Sequence, residues 1–221
     1  MQSIDSGGDS PRGIFVTLEG PDGAGKSSQQ TLLVERLRGI GRDVVATREP
    51  GGTELGEGVR AILLDSSAAH DPLVDTLLFN AARRRLVTEV IRPALDRGAV
   101  VVCDRFADST LAYQGYGGGA PLDTLRALAD VATEGLGPDR TLLLDVAVDR
   151  GLARRLGGPE ADLTRFETSD DHDRGFHERV RAGYLALAAA EPQRWRIVDA
   201  SGRPEQVAVG VWEALRDLFE G

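Results

Sequence analysis

Five short aliphatic runs recur along the chain, and none alternates strictly between apolar and polar positions. They are IFVTLE at 14–19, DVVAT at 43–47, AVVVCD at 99–104, RTLLLDVAV at 140–148 and RWRIVDA at 194–200. A strand that is apolar throughout is buried on both faces, as strands are in a parallel sheet covered by helices. The pattern therefore predicts five strands of one parallel sheet.

Segments with apolar residues near helical spacing separate these runs. The first, SSQQTLLVERLRGIG, carries Leu32, Leu33, Leu37 and Ile40 and stops at Gly41. Further helices are predicted at about 54–65, 71–97, 107–115, 121–134, 149–156, 171–191 and 203–219. Strands that alternate with helices predict an α/β fold with a doubly wound five-stranded parallel sheet. A length of 221 residues suits a single domain.

The composition, 41% hydrophobic and 28% charged, is ordinary for a globular protein. A formal charge of −9 argues against a general nucleic-acid binder, which needs a basic face. No apolar run approaches the roughly 18 residues of a membrane span, so no membrane partner is expected. The single cysteine, Cys103, excludes an intramolecular disulfide.

Residues 1–12, MQSIDSGGDSPR, contain neither the basic segment nor the apolar core of an export signal. We expect them to form a flexible N-terminal extension. Residues 13–221 are then expected to form the single domain.

A glycine-rich segment lies between the first predicted strand and the first predicted helix. Its sequence, GPDGAGKS from Gly20 to Ser27, matches the phosphate-binding pattern G-x-x-x-x-G-K-[ST]. Glycines let the backbone amides point inward at phosphate oxygens, and the positive end of the following helix adds to the attraction. The segment predicts a P-loop that binds a nucleoside triphosphate through Gly20, Pro21, Asp22, Gly23, Ala24, Gly25, Lys26, Ser27 and Ser28.

Lys26 is the only lysine, and the other 25 of the 26 lysines and arginines are arginines. A compact ammonium can bridge two phosphates inside a tight loop in which the broad guanidinium would not fit. Ser27 offers a hydroxyl ligand to Mg²⁺, and Asp104, at the end of the third strand, is the expected acidic partner, directly or through water. Alternatively, Asp104 is a strand-terminal carboxylate that pairs with Arg105.

Two classes of P-loop protein fit this chain poorly. A switch GTPase needs an N-K-x-D segment to recognise guanine, and the only lysine already belongs to the P-loop. Motor and transporter ATPases normally bring further domains. Arginines near the predicted strand ends favour a small anionic second substrate instead.

Five segments together closely resemble bacterial thymidylate kinase, a P-loop nucleoside monophosphate kinase. They are EGPDGAGKSS from residue 19, TREPGGT from 47, LLFNAARR from 77, DRFADSTLAYQGYGGG from 104 and FHERVRAGYLALA from 176. The resemblance covers the chain from about residue 13, and TREPGGT together with DR-x-x-x-S-x-x-AYQG is highly specific. It implies transfer of the γ-phosphoryl group of ATP to dTMP, giving dTDP for dTTP synthesis, by a Mg²⁺-dependent cytoplasmic homodimer.

The resemblance also implies roles for residues near the phosphates. Asp22 matches the carboxylate that contacts the 3'-hydroxyl of the deoxyribose and helps to order the metal site; alternatively it caps the loop. Arg105 matches the arginine that binds the acceptor phosphate, for which a planar fork of donors is suited. Arg48 is expected on the same acceptor side.

Further matches concern the thymine base. Phe79 and Arg83 lie one helical turn apart and match the pair that stacks on thymine and hydrogen-bonds to it. Without the resemblance, Phe79 would be a core residue and Arg83 a solvated charge. Thr110, Tyr113 and Gln114 match positions that contact the thymine edge and crowd the 2' carbon, which favours deoxyribose.

The predicted lid, about residues 156–170, departs from the family pattern. Many members with glycine after the P-loop aspartate carry a dense arginine cluster that ends in D-R-x-E, whereas this chain has RGLARRLGGPEADLTRFE. We expect Arg154 or Arg165 to reach the transferring phosphoryl group, with Glu167 as a hinge or pairing partner. Arg155 either also contacts the phosphoryl group or has no part in catalysis.

Phosphoryl transfer to a phosphate oxygen needs no strong general base, because the acceptor is already ionised. Catalysis then reduces to alignment and charge neutralisation. Two alternatives remain at this stage. One is a kinase for dUMP or a modified pyrimidine nucleotide, and the other is a catalytically idle nucleotide-binding module.

Overall fold

The computed structural model describes residues 12–65, 71–156 and 174–219. Its centre is a five-stranded sheet in the order β2-β3-β1-β4-β5, in which every neighbouring pair is parallel. The strands are β1 Phe15–Glu19, β2 Val44–Arg48, β3 Val100–Asp104, β4 Arg140–Asp145 and β5 Trp195–Asp199. The predicted doubly wound α/β fold is confirmed, because helices cover both faces of this sheet.

The helices in these ranges agree with most of the predicted segments. They are α1 Lys26–Gly39, α2 Glu54–Leu64, α3 Pro72–Leu86, α4 Arg92–Asp96, α5 Ala107–Thr110, α6 Leu122–Thr133, α7 Val148–Leu156, α8 Arg174–Ala190 and α9 Pro204–Glu213. π-Helical turns occupy Val87–Ile91 and Leu111–Gly117, and a 3₁₀ turn occupies Arg216–Leu218. None of the helices in the described ranges has both the length and the apolar character required to span a bilayer.

Successive residues of each strand face opposite layers, as the pleat requires. Val16 and Leu18 of β1 belong to a core that α1 and α9 complete, whereas Phe15 packs with α3 and α4 on the other face. A third cluster packs Leu143 of β4 against α6 and α8. The central strands β1, β3 and β4 are buried on both faces and are therefore mainly apolar without alternation, whereas the edge strands β2 and β5 are partly exposed.

The predicted helix 71–97 is interrupted by a π-helical turn. Pro93 has no amide hydrogen and cannot continue an α-helical ladder. The amide of Arg92, just before it, bonds to the carbonyl of Val87 five residues earlier. The predicted helix 203–219 likewise ends early, at Glu213.

Several predictions fall outside the described residues. These are the flexible character of most of the N-terminal extension, nearly all of the lid at about 156–170, and the roles of Arg165 and Glu167. They stay predictions, as does the extent of the single domain.

Candidate active site

The chain leaves β1 and enters the glycine-rich loop with backbone conformations that favour glycine. Gly20, Gly23 and Gly25 have φ angles of 146°, 71° and 86°. A Cβ atom on Gly23 would also overlap the carbonyl oxygen of Gly151 in α7. The loop is therefore pressed against α7, and α1 begins directly after it at Lys26.

Lys26 folds back across the loop. Its Nζ donates to the carbonyl oxygens of Gly20 and Pro21, each at 3.0 Å, and the residue is buried. Burial, followed by the nearby positive charge of Arg105, lowers the pKa of Lys26 to about 8. A partly desolvated ammonium beside inward-facing amides is matched to a polyanionic ligand.

Ser27 and Asp104 lie side by side at the start of α1 and the end of β3. The Ser27 hydroxyl donates to Oδ2 of Asp104 at 2.7 Å. In the described ranges, no three His, Cys, Asp or Glu side chains cluster as metal ligands. A hydroxyl and one carboxylate fit Mg²⁺, which takes few protein ligands and completes its shell with phosphate oxygens and water.

Arg105 joins several elements around the loop. Its backbone has a φ of 68°, unusual for a side-chain-bearing residue. Its NH2 donates to Oδ1 of Asp22 at 2.6 Å and to the hydroxyl of Tyr113 at 3.0 Å. Its NH1 lies 3.2 Å from the hydroxyl of Ser109 and 3.1 Å from that of Tyr184. The guanidinium orientation is thus strongly specified.

Asp22 is ionised in this setting. Burial alone would raise the pKa of its carboxyl, but the positive charges of Arg105 and then Lys26 outweigh burial and lower the pKa. Asp22 is therefore an anion in direct contact with Arg105 at the mouth of the loop. The predicted contact of Asp22 with a sugar hydroxyl stays a prediction.

A cavity of about 170 Å³ opens beside the loop. Asp22 and Arg105 line this cavity. So do five further residues that the sequence assigned to dTMP, namely Phe79, Arg83, Thr110, Tyr113 and Gln114. Phe79 is half-buried against the cluster of Val59, Leu63 and Ala82, so it is both a core residue and part of the cavity wall. The structure thus brings these five predicted residues together.

Arg83 is the most buried of these side chains, with 1% exposure. Its Nε donates to Oε2 of Glu49 at 2.8 Å, its NH1 to Oδ1 of Asn80 at 3.0 Å and its NH2 to Oγ1 of Thr110 at 3.1 Å. This burial excludes the interpretation of Arg83 as a solvated charge. Glu49 was missed because nothing in TREPGGT marks its glutamate as the partner of a distant helix.

Thr110, Tyr113 and Gln114 lie on α5 and the π-helical turn that follows it. Such turns shift side chains relative to a regular helix and are frequent at functional sites. Thr110 and Gln114 are buried, and all three line the cavity.

Arg48 and Arg60 lie on the open side of the loop. A second cavity, here called the P-loop cavity, is lined by loop residues 22–28 and by Asp104. Arg48, at the end of β2, pairs with Oε2 of Glu57 at 3.2 Å and lines this P-loop cavity. Arg60 of α2 donates to the carbonyl of Pro50 at 3.1 Å and lines both the P-loop cavity and the cavity beside it. Arg60 was missed because its sequence context is that of any surface helix.

The two arginines at the end of α7 differ in their surroundings. Arg154 donates to three consecutive carbonyls after β5, those of Ala200 at 2.8 Å, Ser201 at 3.0 Å and Gly202 at 3.0 Å. Arg154 and Arg155 both line the P-loop cavity, but only Arg155 of the two also lines the cavity that contains Phe79.

A P-loop, a carboxylate on the adjacent strand and a neighbouring cavity with arginines and an aromatic ring define a P-loop kinase of small phosphorylated substrates. A family model described as thymidylate kinase matches residues 18–209. The chain belongs to the thymidylate kinase family.

Relatives of this chain agree over nearly their full length. It is 51% identical to the thymidylate kinase of Thermomicrobium roseum over 206 residues, covering 93% of this chain and 96% of the relative. It is 48% identical to that of Deinococcus radiodurans over 212 residues, covering 93% and 98%. The crystal structure of the thymidylate kinase from Ehrlichia chaffeensis superposes with a TM-score of 0.77 at 35% identity, covering 93% of this chain and all of that one.

The chain is therefore an enzyme that transfers the γ-phosphoryl group of ATP to dTMP and produces dTDP. This confirms the predicted family and reaction. The same findings exclude the alternative that the chain is a catalytically idle nucleotide-binding module.

Proposed function

We propose that ATP phosphates occupy the P-loop cavity and dTMP the cavity that contains Phe79, so that phosphoryl transfer occurs where the two meet. One observation carries this proposal. Asp22 and Arg105 belong to the walls of both cavities. The donor and acceptor phosphates would therefore lie side by side at these two residues, as in-line transfer requires.

On the donor side, Lys26 and the loop amides bind the β- and γ-phosphates. Ser27 and Asp104 would hold Mg²⁺, Asp104 directly or through water. When bound, Mg²⁺ supplies positive charge that offsets the charge on the phosphate oxygens. Loop residues from Gly20 to Ser28 surround the phosphates through their backbone amides.

On the acceptor side, Arg105 binds the phosphate of dTMP, with Arg48 and Arg60 adding positive charge nearby. Asp22 keeps Arg105 oriented and accepts a hydrogen bond from the 3'-hydroxyl of the sugar. The short distance between Asp22 and Arg105 supports this pairing.

The base is selected by Arg83. A guanidinium has five N–H donors. In the described part of the chain, Nε and NH2 of Arg83 bond to Glu49, Phe106 and Thr110, and NH1 bonds to Asn80, which leaves one NH1 hydrogen over. That hydrogen donates to the O4 carbonyl of thymine, whereas cytosine would present an amino group and set donor against donor. Phe79 stacks on the base, Thr110 and Gln114 face its edge, and Tyr113 crowds the 2' carbon.

The acceptor oxygen needs no general base, so the remaining requirement is charge neutralisation at the γ-phosphoryl group. We assign this to an arginine near the lid. Arg155 lines both cavities, whereas Arg154 is bonded to three carbonyls, and Arg165 stays a candidate outside the described residues.

A substrate panel tests the assignment of the cavities. Coupled ADP release is measured with dTMP, dUMP and dCMP. We expect turnover with dTMP, weaker turnover with dUMP and at least about 100-fold less turnover with dCMP. The amino group of cytosine would face the N–H donor of Arg83 and could not accept its hydrogen bond. Comparable rates with dTMP and dCMP would contradict the role of Arg83.

We further propose a cytoplasmic homodimer formed through α2, α3 and α6. Helix α3 packs against α2 and α6. Leu73, Val74 and Leu77 on α3 are about half exposed, and Ile62 on α2 and Val131 on α6 are exposed too. Adjacent exposed apolar side chains on three packed helices are typical of an interface, and a second copy of this chain is the occupant that a twofold contact would use.

Sedimentation tests the dimer. The double variant with Leu73→Asp and Leu77→Asp should sediment near 23.6 kDa, because charges are costly in an apolar contact. Val209→Asp on α9, an exposed valine on the other face of the sheet, is the matched control and should stay dimeric. A wild-type protein that sediments as a monomer would contradict the proposal.

A further inference from the structure

Glu19 is a wholly buried carboxylate to which the reaction described so far assigns no role. It is the last residue of β1, directly before the P-loop. Its Oε1 accepts the backbone amide of Phe106 at 2.7 Å. Its Oε2 accepts the hydroxyls of Ser109 at 2.6 Å and Tyr184 at 2.9 Å.

The same two hydroxyls contact Arg105. NH1 of Arg105 donates to the Ser109 oxygen at 3.2 Å and to the Tyr184 oxygen at 3.1 Å. A hydroxyl has one hydrogen and two lone pairs. The two oxygens also lie 2.8 Å from each other, so Glu19 competes with this contact for one hydrogen. When both hydrogens point at Glu19, both oxygens are left as acceptors for Arg105.

We propose that Glu19, as a carboxylate, is a positioning residue that sets the hydrogen-bond direction of Ser109 and Tyr184 and thereby holds Arg105 toward the acceptor phosphate. The inference rests on the proposed role of Arg105 in binding dTMP. It deepens that role, because the guanidinium is held from one edge by Asp22 and from the other by hydroxyls that Glu19 has polarised.

A neutral amide in place of Glu19 would reverse this arrangement with little change in volume. The amide nitrogen of glutamine, in the place of Oε2, donates to both hydroxyls; one hydroxyl hydrogen then turns toward the other hydroxyl, 2.8 Å away, and the second is left to point toward Arg105. A donor would then face the NH1 donor of Arg105. Burial raises the pKa of Glu19 to about 7, with the charge of Asp108 adding to the rise, so the carboxylate form prevails at about pH 8.

The first test measures dissociation constants for dTMP and for ATP by calorimetry at about pH 8. Glu19→Gln should weaken dTMP binding about tenfold and change ATP binding less than about twofold. Asp139→Asn is the matched control, since Asp139 accepts the backbone amide of Phe15 at the other end of β1. It should leave both constants unchanged. Equal losses for dTMP and ATP, or no loss, would overturn the proposal.

A mutant cycle separates positioning from a general structural effect. The double variant Ser109→Ala with Tyr184→Phe removes both hydroxyls that connect Glu19 to Arg105. It should weaken dTMP binding but not ATP binding, as Glu19→Gln does. Adding Glu19→Gln to that double variant should then change the dTMP affinity hardly at all, because the hydroxyls that connect Glu19 to Arg105 are already absent. An undiminished further loss would overturn the inference.

Two more measurements keep the outcomes distinct. If Glu19→Gln fails to give a cooperative thermal transition, the hydroxyl double variant decides alone, and unchanged dTMP affinity in it counts against the proposal. Arg105→Gln tests the underlying role. Unchanged dTMP affinity there would overturn the proposed role of Arg105, whereas a loss there without one in Glu19→Gln would overturn only the inference about Glu19.

Discussion

Arg83 and Glu49 form an ion pair almost completely removed from solvent, with NH2 and Oε2 2.7 Å apart. Arg83 comes from the last turn of α3, and Glu49 from the turn after β2. Burying two charges is costly, but breaking such a pair by removing one partner costs more, because an uncompensated charge is left. The pair thus links the stability of the fold to the wall of the cavity in which we propose that dTMP binds.

We expect Glu49→Gln to lower the free energy of unfolding by about 3 kcal/mol and to weaken dTMP binding. Chemical denaturation and calorimetry measure the two effects. Glu89→Gln is the control, because its pair with Arg85 is exposed and contributes less than about 1 kcal/mol. If Glu49→Gln lost no more stability than this control, the expected cost of breaking the buried Arg83–Glu49 pair would be contradicted.

Lys26→Arg tests the fit of the ammonium in the P-loop. The Nζ atom lies 3.0 Å from two loop carbonyls, and a guanidinium is too broad for that space. We expect kcat to fall about 100-fold or more while the thermal transition stays cooperative. Coupled ADP release measures the rate. A variant that turns over at the wild-type rate would show that charge alone, not ammonium geometry, is required.

Glu19 should make stability depend on pH. Its pKa is raised from 4.5 to about 7, so the folded state binds this proton more tightly than the unfolded state does. The associated stability is full below about pH 4.5 and is lost as the pH rises through about 7. The free energy of unfolding of Glu19→Gln, taken relative to that of the wild type, should therefore rise by up to about 3 kcal/mol between about pH 5 and about pH 8. Urea titrations at both pH values measure this, and a constant difference would contradict the assigned shift.

Arg154 and Arg155 should have separable kinetic effects. Arg154→Gln removes three bonds to carbonyls beside the P-loop cavity and should raise KM for ATP about fivefold to tenfold with little change in kcat. Arg155→Gln should mainly lower kcat, about 100-fold, if this side chain faces the transferring group. Steady-state kinetics with each substrate varied decide between them. The reverse pattern would return the catalytic role to Arg154, which the sequence predicted as one of two candidates together with Arg165.

Much of the architecture follows from short stretches of sequence. The five aliphatic runs predict the strands, because strands buried on both faces must be apolar throughout. The loop from Gly20 to Ser27 is equally local, since its glycines and the following helix suffice to form an anion site. Even the spacing of Phe79 and Arg83 placed them correctly on one helical face.

Other features depend on partners far apart in the chain. Nothing near Glu49 indicates that it meets Arg83, 34 residues away. Nothing near Glu19 indicates that it reaches Tyr184, 165 residues away. The π-helical turn at Leu111–Gly117 was also not predicted, because its hydrogen-bond pattern depends on packing against α8 and α6.

The sequence alone determined the fold class and the phosphate-binding loop, because aliphatic runs and glycine-rich turns act over a few residues, whereas the cavity residues were predicted only through the family resemblance. Only the tertiary structure decided which arginines of the described ranges are buried, which carboxylates they meet and which of them face a cavity. The physical reason is that the cost of burying a charge is offset by its partners in space, and the parallel sheet brings together partners that are distant in sequence.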